Sequence, residues 1–316
     1  MTQFENLYLS NPVFFPSVSS VSKTKWDVYE FVQFLIASKY PQFLVSCYDL
    51  FYYSDKEKIL HILNEAKDQK QFILLDSGIY EEVWHKTNNW NKTSFHEILS
   101  TNFFSEAFCY DSYFLDGKII TSRDINESVT NSIVKLGIKN ISPIIHNNDG
   151  DNLAENIIDV LNTLSPSIIA FPERELGKGV YEIAKNIFKI RKIVNTINPK
   201  QIIHILGTGN PISIMLYYYA GANSFDGLDW CQTVVDFDTA KLHHYQHLDL
   251  YKHQSEYGNY LGLTFLTRCY LHNLEFYDKW LIELGKIKTN SEKSALFDRY
   301  LPNEESKIAF CELLCK

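Results

Sequence analysis

The sequence is poor in glycine and proline, with 13 and 9 in 316 residues, and it has only six cysteines. So little glycine and proline argues against long flexible linkers. Sparse cysteines exclude the disulfide framework of a small secreted protein. No apolar run approaches the roughly 20 residues of a membrane-spanning helix. The first residues lack a basic segment followed by an apolar core, so we expect no signal peptide, no membrane partner and a reducing, cytoplasmic location.

Positive charge is also in short supply. The chain has 38 acidic and 30 basic residues, a formal net charge of −8, and no block of lysine and arginine. This composition argues against non-specific coating of nucleic acid through its phosphates, although a local basic groove is compatible with it. Hydrophobic residues reach 45%, charged residues 22% and aromatic residues 15%, so wholesale disorder is excluded.

Short apolar runs alternate with amphipathic stretches along most of the chain. The runs are continuous rather than alternating in polarity, which is typical of strands buried on both faces. Strands are predicted at 43–46, 71–75, 107–110, 141–145, 167–171, 201–206 and 224–225. Helices are predicted at 55–67, 153–164, 180–195 and 211–220. The last of these has a proline in its first turn and is followed by Gly221, which is a stop signal.

Strands about 30 residues apart with helices between them predict parallel βα units. Seven or eight such units are typical of a closed (β/α)8 barrel of the TIM type. A doubly wound sheet is the alternative, but no glycine-rich phosphate-binding turn follows the early strands. From about Asp236 the pattern is helical, at 239–251, 260–284 and 304–315. We therefore expect a barrel in residues 1–235 and a C-terminal helical part, 236–316, packed on it as one compact domain.

Polar side chains end or follow several predicted strands. They are Asp76, Asp111, His146, Glu173, Arg174 and Asp226. The functional groups of an α/β barrel lie at the carboxyl ends of its strands. A lone aspartate there more often caps a helix, but three of them together favour a chemical role. Paired carboxylates supply a nucleophile and a proton donor for glycosidic chemistry.

Several segments resemble the motifs of the tRNA-guanine transglycosylases, the queuine and archaeosine tRNA-ribosyltransferases. Residues 75–80, Leu-Asp-Ser-Gly-Ile-Tyr, resemble the family's Asp-Ser-Gly-Gly-Tyr/Phe motif. Residues 204–211, His-Ile-Leu-Gly-Thr-Gly-Asn-Pro, are similar to its turn of the form Gly-x-Gly-x-Pro after a histidine. Residues 220–226, Ala-Gly-Ala-Asn-Ser-Phe-Asp, resemble its Gly-x-Asp-x-Phe-Asp segment. Further matches are Cys-Tyr-Asp at 109–111 and two stretches of a C-terminal helix at 261–267 and 271–277.

The resemblance implies a (β/α)8 barrel and a pentosyltransferase that exchanges guanine in a nucleic acid for a 7-deazaguanine derivative. It implies that Asp226 attacks C1′ of the target guanosine and that Asp76 shuttles the proton between the leaving and incoming bases. Asp111 would hydrogen-bond the base, and Tyr80 would stack on it. The other expected substrate-binding residues are Ser77, His146, which falls near a base-reading glutamine of the family, Glu173, Arg174 and Gly207.

The sequence also departs from the family. The family's zinc ligands are a Cys-x-Cys-x-x-Cys cluster and a histidine, but only the histidine, His272, is present, so we expect no metal cofactor. A repurposed zinc site is the alternative, because Cys231 and Cys269 lie nearby and His243 and His247, four residues apart, would share a helix face. The family's Gly-Gly-Leu pocket loop is Pro-Glu-Arg at 172–174, and the RNA-contacting Pro-Thr-Arg after the nucleophile is missing.

Three functions are open at this point. The leading one is a transglycosylase whose partners are a nucleic acid and a free 7-deazapurine base, acting as a homodimer or with an accessory protein. Because the RNA-binding features are missing, DNA or an unusual RNA is favoured over ordinary tRNA. The second is a non-catalytic relative that binds a base or a nucleic acid, against which the retention of Asp76 and Asp226 argues. The third is a small-molecule glycosyl or nucleoside transferase, which the acidic charge favours.

Overall fold

Eight parallel strands form the centre of the protein in the computed structural model, which describes residues 12–22, 24–111, 120–147 and 152–315. The strands are β1 (Val13–Val18), β2 (Gln42–Ser46), β3 (Phe72–Asp76), β4 (Glu106–Phe108), β5 (Ile141–Ser142), β6 (Ile168–Pro172), β7 (Ile202–Leu206) and β8 (Ser224–Gly227). Their order is β5-β4-β3-β2-β1-β8-β7-β6. A parallel bridge between Ile144 and Ala170 joins the two ends of this sheet. The predicted (β/α)8 barrel is confirmed.

Helices follow the strands along the chain. They are α1 (Val28–Ala37), α2 (Cys47–Tyr52), α3 (Lys56–Asp68), α4 (Ile79–His85), α5 (Lys92–Leu99), α6 (Ser122–Leu136), α7 (Leu153–Leu164), α8 (Val180–Asn195) and α9 (Pro211–Ala220). Local signals set their ends. In α9 the Asn210 side chain accepts from the backbone N–H of Ile212 and Ser213, and Gly221 ends the helix in the left-handed conformation. Among the described residues, none of these helices or those below is long and apolar enough to cross a membrane.

Alternate residues of the strands point into the barrel, where they form an apolar cluster of their own. It contains Val13, Phe15, Leu44, Phe72, Leu74, Phe108, Ile144, Ile168, Ala170 and Ile202. The intervening residues of the strands pack against the helices in a second, larger cluster. Burial on both faces accounts for the continuous apolar runs of the sequence. The same alternation carries Ser17, Asp76 and Asp226 to the inner side of the barrel at the carboxyl ends of β1, β3 and β8.

A short helix and a β-hairpin precede the long helices of the last part of the chain. Its elements are α10 (Asp229–Gln232), β9 (Thr233–Val235), β10 (Leu242–His244), α11 (Leu248–Tyr251), α12 (Phe265–Lys286), α13 (Asn290–Tyr300) and α14 (Glu304–Leu314). The predicted helix at 239–251 is wrong, because residues 242–244 pair antiparallel with β9 across a turn held by the Asp236 side chain. The predicted boundary at 235/236 falls inside this hairpin.

Helix α12 fastens the C-terminal part to the barrel. The Tyr277 hydroxyl donates to the carbonyl of Gly209 at 2.6 Å, and Trp280 Nε1 donates to the carbonyl of Pro211 at 3.1 Å. The Asn273 amide donates to the carbonyls of Trp230 and Thr233, both at 2.7 Å. These bonds join α12 to the segments that follow β7 and β8, so they brace the part of the barrel that carries Asp226.

Candidate functional site

A cavity of about 490 Å³ opens at the carboxyl ends of the barrel strands. Its wall is formed by residues from the ends of β1, β3, β6, β7 and β8, from the loops after them and from α4, together with Leu44 of β2, Asp111 after β4 and Ile144 after β5. The predicted site residues in that wall are Asp76, Ser77, Tyr80, Asp111, Glu173, Arg174, Gly207 and Asp226. His146 is absent from the wall, since its side chain is 1% exposed, but it lies against Asp111. The structure therefore brings the predicted set together at one place.

Asp226 is held by donors on both carboxylate oxygens. Ser17 Oγ donates to Oδ2 at 2.8 Å, and the backbone N–H of Gly207 donates to Oδ1 at 3.0 Å. His204 Nε2 lies 3.1 Å from Oδ1. Gly207 has a φ of +82°, so a glycine suits the turn that directs this N–H at the carboxylate. Hydrogen bonds to both oxygens fix the side chain in one orientation.

His204 and Ser17 are partners of Asp226 that the sequence analysis did not assign. The fully buried imidazole of His204 lies inside the barrel, with Nδ1 2.7 Å from Ser224 Oγ. When Nε2 donates to the Asp226 carboxylate, Nδ1 of the neutral imidazole accepts from the Ser224 hydroxyl, which can serve either as donor or as acceptor. The arrangement depends on the register of β7 and β8, which pairs His204 with Ser224. No local motif signals it.

Asp76 has a different environment from that of Asp226. Burial raises the pKa of its carboxyl to about 7, and the charges of Asp226 and Asp111 also raise it. Hydrogen bonds from the backbone N–H groups of Gly78 and Ser77 act in the opposite direction. This carboxyl therefore titrates much closer to neutral pH than an ordinary aspartate does. Two neighbouring carboxyls in contrasting environments are the usual basis for an acid and a nucleophile in one site.

Gly78 makes the turn between Asp76 and α4 possible. Its φ is +85°, and a Cβ at this position would lie 2.6 Å from the backbone nitrogen of Tyr48. A side chain here would have to displace backbone, so the turn requires glycine for two reasons. The turn places Asp76 and Tyr80 on the same cavity. The Asp-Ser-Gly segment is thus explained by local geometry together with the chemistry of its aspartate.

Asp111 is linked to a buried ion-pair network. His146 Nε2 lies 3.0 Å from Asp111 Oδ2, and His146 Nδ1 lies 3.0 Å from both carboxylate oxygens of Glu175. Burial lowers the pKa of His146, but its contacts with the two carboxylates outweigh this and raise the pKa to about 9. At neutral pH His146 is therefore an imidazolium that lies between the two acidic side chains. It acts on the cavity through Asp111, and the sequence analysis did not identify Glu175.

The Pro-Glu-Arg loop brings both of its charged side chains to the cavity, as the sequence predicts. Glu173 accepts a hydrogen bond from the Tyr217 hydroxyl at 2.9 Å, which ties the loop to α9. Burial raises the pKa of the Glu173 carboxyl, while this hydrogen bond lowers it. The guanidinium of Arg174 lies 5.5 Å from the centroid of the Tyr80 ring, within the range of a cation–π contact. Arg174 and Tyr80 thus form neighbouring parts of the cavity wall.

A second buried acidic group lies beside Asp76. Glu81 lines the cavity, and burial, with the charges of Asp49 and Asp76, raises its pKa to about 8. Ser19 Oγ donates to Glu81 Oε1 at 2.5 Å, and the backbone N–H of Ser20 donates to Asp49 Oδ2 at 2.8 Å. Burial raises the pKa of Asp49 to about 6. The sequence analysis assigned no role to this group, because Glu81 and Asp49 lie inside helices and not at strand ends.

The residues near His272 do not fit the family's zinc ion. His272 Nε2 lies 2.8 Å from the carbonyl oxygen of Val235 and Nδ1 lies 2.8 Å from Ser255 Oγ, so both ring nitrogens have partners within the protein. The expected shared helix face of His243 and His247 is wrong: His243 belongs to β10 and His247 to a 3-10 turn. Across the described parts of the chain, no group of three or more His, Cys, Asp and Glu side chains could hold a metal ion.

No protein-family model matches the chain, and no curated protein matches it significantly in sequence. The likeness to the transglycosylases consists of short motifs in a particular order. Those motifs and the geometry of the cavity are therefore the features that point to a function.

Proposed function

We propose that the protein is a transglycosylase that replaces guanine in a nucleic acid by a 7-deazaguanine derivative. The observation that carries this proposal is the pair of carboxyls in one cavity at the end of the barrel. Asp226 is surrounded by hydrogen-bond donors, whereas burial raises the pKa of Asp76 to about 7. The first suits a nucleophile and the second suits a group that gives and takes a proton near neutral pH.

In the first half of the reaction an oxygen of Asp226 attacks C1′ of the target nucleoside. The bond from C1′ to the base nitrogen breaks, its electron pair goes to the base, and the proton on Asp76 neutralises that base as it leaves. The product is a glycosyl ester of Asp226. In the second half Asp76 takes the proton from the incoming base, whose nitrogen attacks C1′ and releases the Asp226 carboxylate. Two displacements at C1′ retain the configuration of the sugar.

Asp111 and Tyr80 would hold the base during both steps. A carboxylate accepts hydrogen bonds from the ring N–H and the amino group that guanine and 7-deazaguanine share. His146 Nε2, 3.0 Å from Asp111 Oδ2, orients that side chain. Glu173 and Arg174 occupy the side of the cavity where the resembling family has a loop of small residues, so we infer that they alter which base is accepted.

We favour DNA, or an RNA other than ordinary tRNA, as the polymer. The described residues around the cavity include one arginine, Arg174, and no lysine. Binding must therefore depend on the bases more than on the phosphates.

All six cysteines are unpaired, which agrees with the reducing, cytoplasmic environment inferred from the sequence.

Incorporation of radiolabelled guanine tests the proposal. The enzyme is incubated with labelled guanine and, separately, single-stranded DNA, duplex DNA, tRNA and free guanosine. We expect label in DNA, faster in the single strand, because the target base must leave its stack. Asp226→Asn and Asp76→Asn should abolish or greatly slow incorporation, whereas Asp68→Asn, at an exposed helix end, should not.

Other outcomes select the other functions. Label in tRNA alone would overturn the preference for DNA and keep the chemistry. Exchange into guanosine but into no polymer would identify a small-molecule transferase. Binding of base or polymer with no exchange in any of the four reactions would contradict the proposed chemistry and support a non-catalytic binding protein.

A further inference from the structure

An exposed tryptophan lies beside the cavity, in contact with the ring of Tyr80. Trp84 is 56% exposed and Tyr80 is 37% exposed, although tryptophan is usually well buried. The two residues are four apart in α4 and share one helix face. Both also line the cavity. Trp84 therefore continues the wall of the candidate site outward, toward solvent.

The helix that carries Trp84 is anchored by other residues. The backbone N–H of Trp90 donates to Glu82 Oε1 at 2.8 Å, and the Trp90 indole donates to the carbonyl of Ser77 at 2.9 Å. On the same helix, His85 lies 2.7 Å from Ser20 Oγ and stacks on the Tyr48 ring. Since these contacts hold α4 in place, the fold does not depend on the indole of Trp84.

The geometry of the two rings separates their roles. Their centroids are 6.1 Å apart and their planes meet at 61°. A single planar base cannot lie face to face with both rings at this angle. If Tyr80 stacks on a base in the cavity, the face of Trp84 is open to a second ring outside it.

We propose that Trp84 stacks on the nucleotide next to the target guanine in a single-stranded or locally opened nucleic acid. This inference rests on the proposed function, because it takes the cavity to hold the target base. Extruding one nucleotide interrupts the stack and exposes the faces of its neighbours. An aromatic side chain beside the cavity recovers part of that stacking, and it does so without a basic surface. Such a contact suits a protein with a net charge of −8.

Intrinsic fluorescence provides a direct readout. Of the five tryptophans, Trp90, Trp230 and Trp280 are buried and Trp26 is partly buried. Trp84 is the exposed one, so its emission should be quenched when an oligonucleotide binds. The titration uses Asp226→Asn, which prevents turnover, with a DNA oligomer that contains one guanine in a run of thymines.

Affinity should follow the aromatic ring at position 84. Trp84→Ala in the same background should weaken binding of the oligomer about tenfold, whereas Trp84→Phe should lose much less. Val83→Ala provides the matched control, since Val83 is also exposed on α4. An oligomer with abasic sites on both sides of the guanine has no neighbouring base for Trp84 to stack on. It should therefore bind with equal affinity to the Asp226→Asn protein with Trp84 and to the same protein with Trp84→Ala.

Two results would overturn the inference. One is equal affinity of the Trp84→Ala protein and its parent for the thymine oligomer. The other is the same loss for free guanosine as for the oligomer, which would place Trp84 in the base pocket. Failure of the proposed chemistry can be distinguished from failure of this inference. If the chemistry is wrong, no label is exchanged, but oligomer binding still depends on Trp84.

Discussion

The exchange reaction should slow as the pH rises through the pKa of Asp76. Burial, aided by the charges of Asp226 and Asp111, raises this pKa to about 7. At that value about 9% of the molecules hold the proton at pH 8 and about 1% hold it at pH 9. Because kcat/KM reports the ionisation of the free enzyme, it should fall about tenfold per pH unit above pH 8. The assay is release of labelled guanine from an oligonucleotide at low concentration between pH 6 and 9.

Three variants make this prediction specific to Asp76. Asp76→Asn should lose the pH dependence and about 10²–10⁴ in rate. Asp111→Asn removes a charge that raises the Asp76 pKa, so kcat/KM should begin to fall at a lower pH. This shift is expected even if the variant also binds the base less tightly. Asp278→Asn is the control, since it removes an exposed acidic side chain of α12 that does not line the cavity.

A constant or rising kcat/KM between pH 7 and 9 would refute the reasoning. A decline that persists unchanged in Asp76→Asn would assign the proton to another group. Glu81, whose pKa burial raises to about 8, would then be the next candidate.

The remaining predictions concern stability and metal content. Burial raises the pKa of Glu106 from 4.5 to about 7, so its contribution to stability is complete below pH 4.5 and is lost as the pH rises through 7. Glu106→Gln should therefore become more stable relative to the original protein as the pH rises. In urea unfolding, the variant's free energy of unfolding minus that of the original protein should increase by about 2 kcal/mol from pH 5 to pH 8. A difference that does not change with pH would contradict a raised pKa at Glu106. Gly78→Ala should lower the free energy of unfolding by more than about 2 kcal/mol, because its Cβ would meet backbone at 2.6 Å. Gly137→Ala, at a φ of +69° in open space, should lower it by about 1 kcal/mol. Equal losses of thermal stability in the two variants would show that the close approach at Gly78 is unimportant. Elemental analysis should find less than stoichiometric zinc, and a loss of thermal stability on chelation would contradict this expectation.

Much of the barrel could be predicted because its local signals agree with its tertiary structure. The helices predicted at 153–164, 180–195 and 211–220 match α7, α8 and α9. In each of them apolar residues recur at helical spacing. Helix α9 also has a proline in its first turn and Gly221 directly after its last residue. The strands predicted from continuous apolar runs lie within a few residues of β2 to β8. Burial on both faces of a parallel sheet makes such runs conspicuous.

Strand β1 and the β9–β10 hairpin could not be predicted in the same way. Pro16 lies inside β1, and proline normally argues against a strand between two neighbours. Here the flanking residues still pair with β2 and β8. Residues 242–244 look compatible with a helix until their pairing with β9 is known. Both segments form strands because they pair with residues that are distant in the sequence. The local spacing of apolar residues gives no information about such pairing.

The predicted site residues meet in one cavity where polar side chains follow strand ends, and the predicted set is incomplete where contacts depend on strand register. Asp76, Asp111 and Asp226 meet because parallel strands bring their carboxyl ends together. Ser17 could not be assigned without β1, and His204 becomes a partner of Asp226 only through the pairing of β7 with β8.

Detection of a sugar on Asp226 tests the central claim most directly. The enzyme is mixed with a guanine-containing oligonucleotide without incoming base, quenched in acid, digested and analysed by mass spectrometry. We predict a glycosyl adduct on the peptide that contains Asp226, and none in Asp226→Asn. An adduct on another residue, or base exchange by Asp226→Asn at nearly the original rate, would contradict the account.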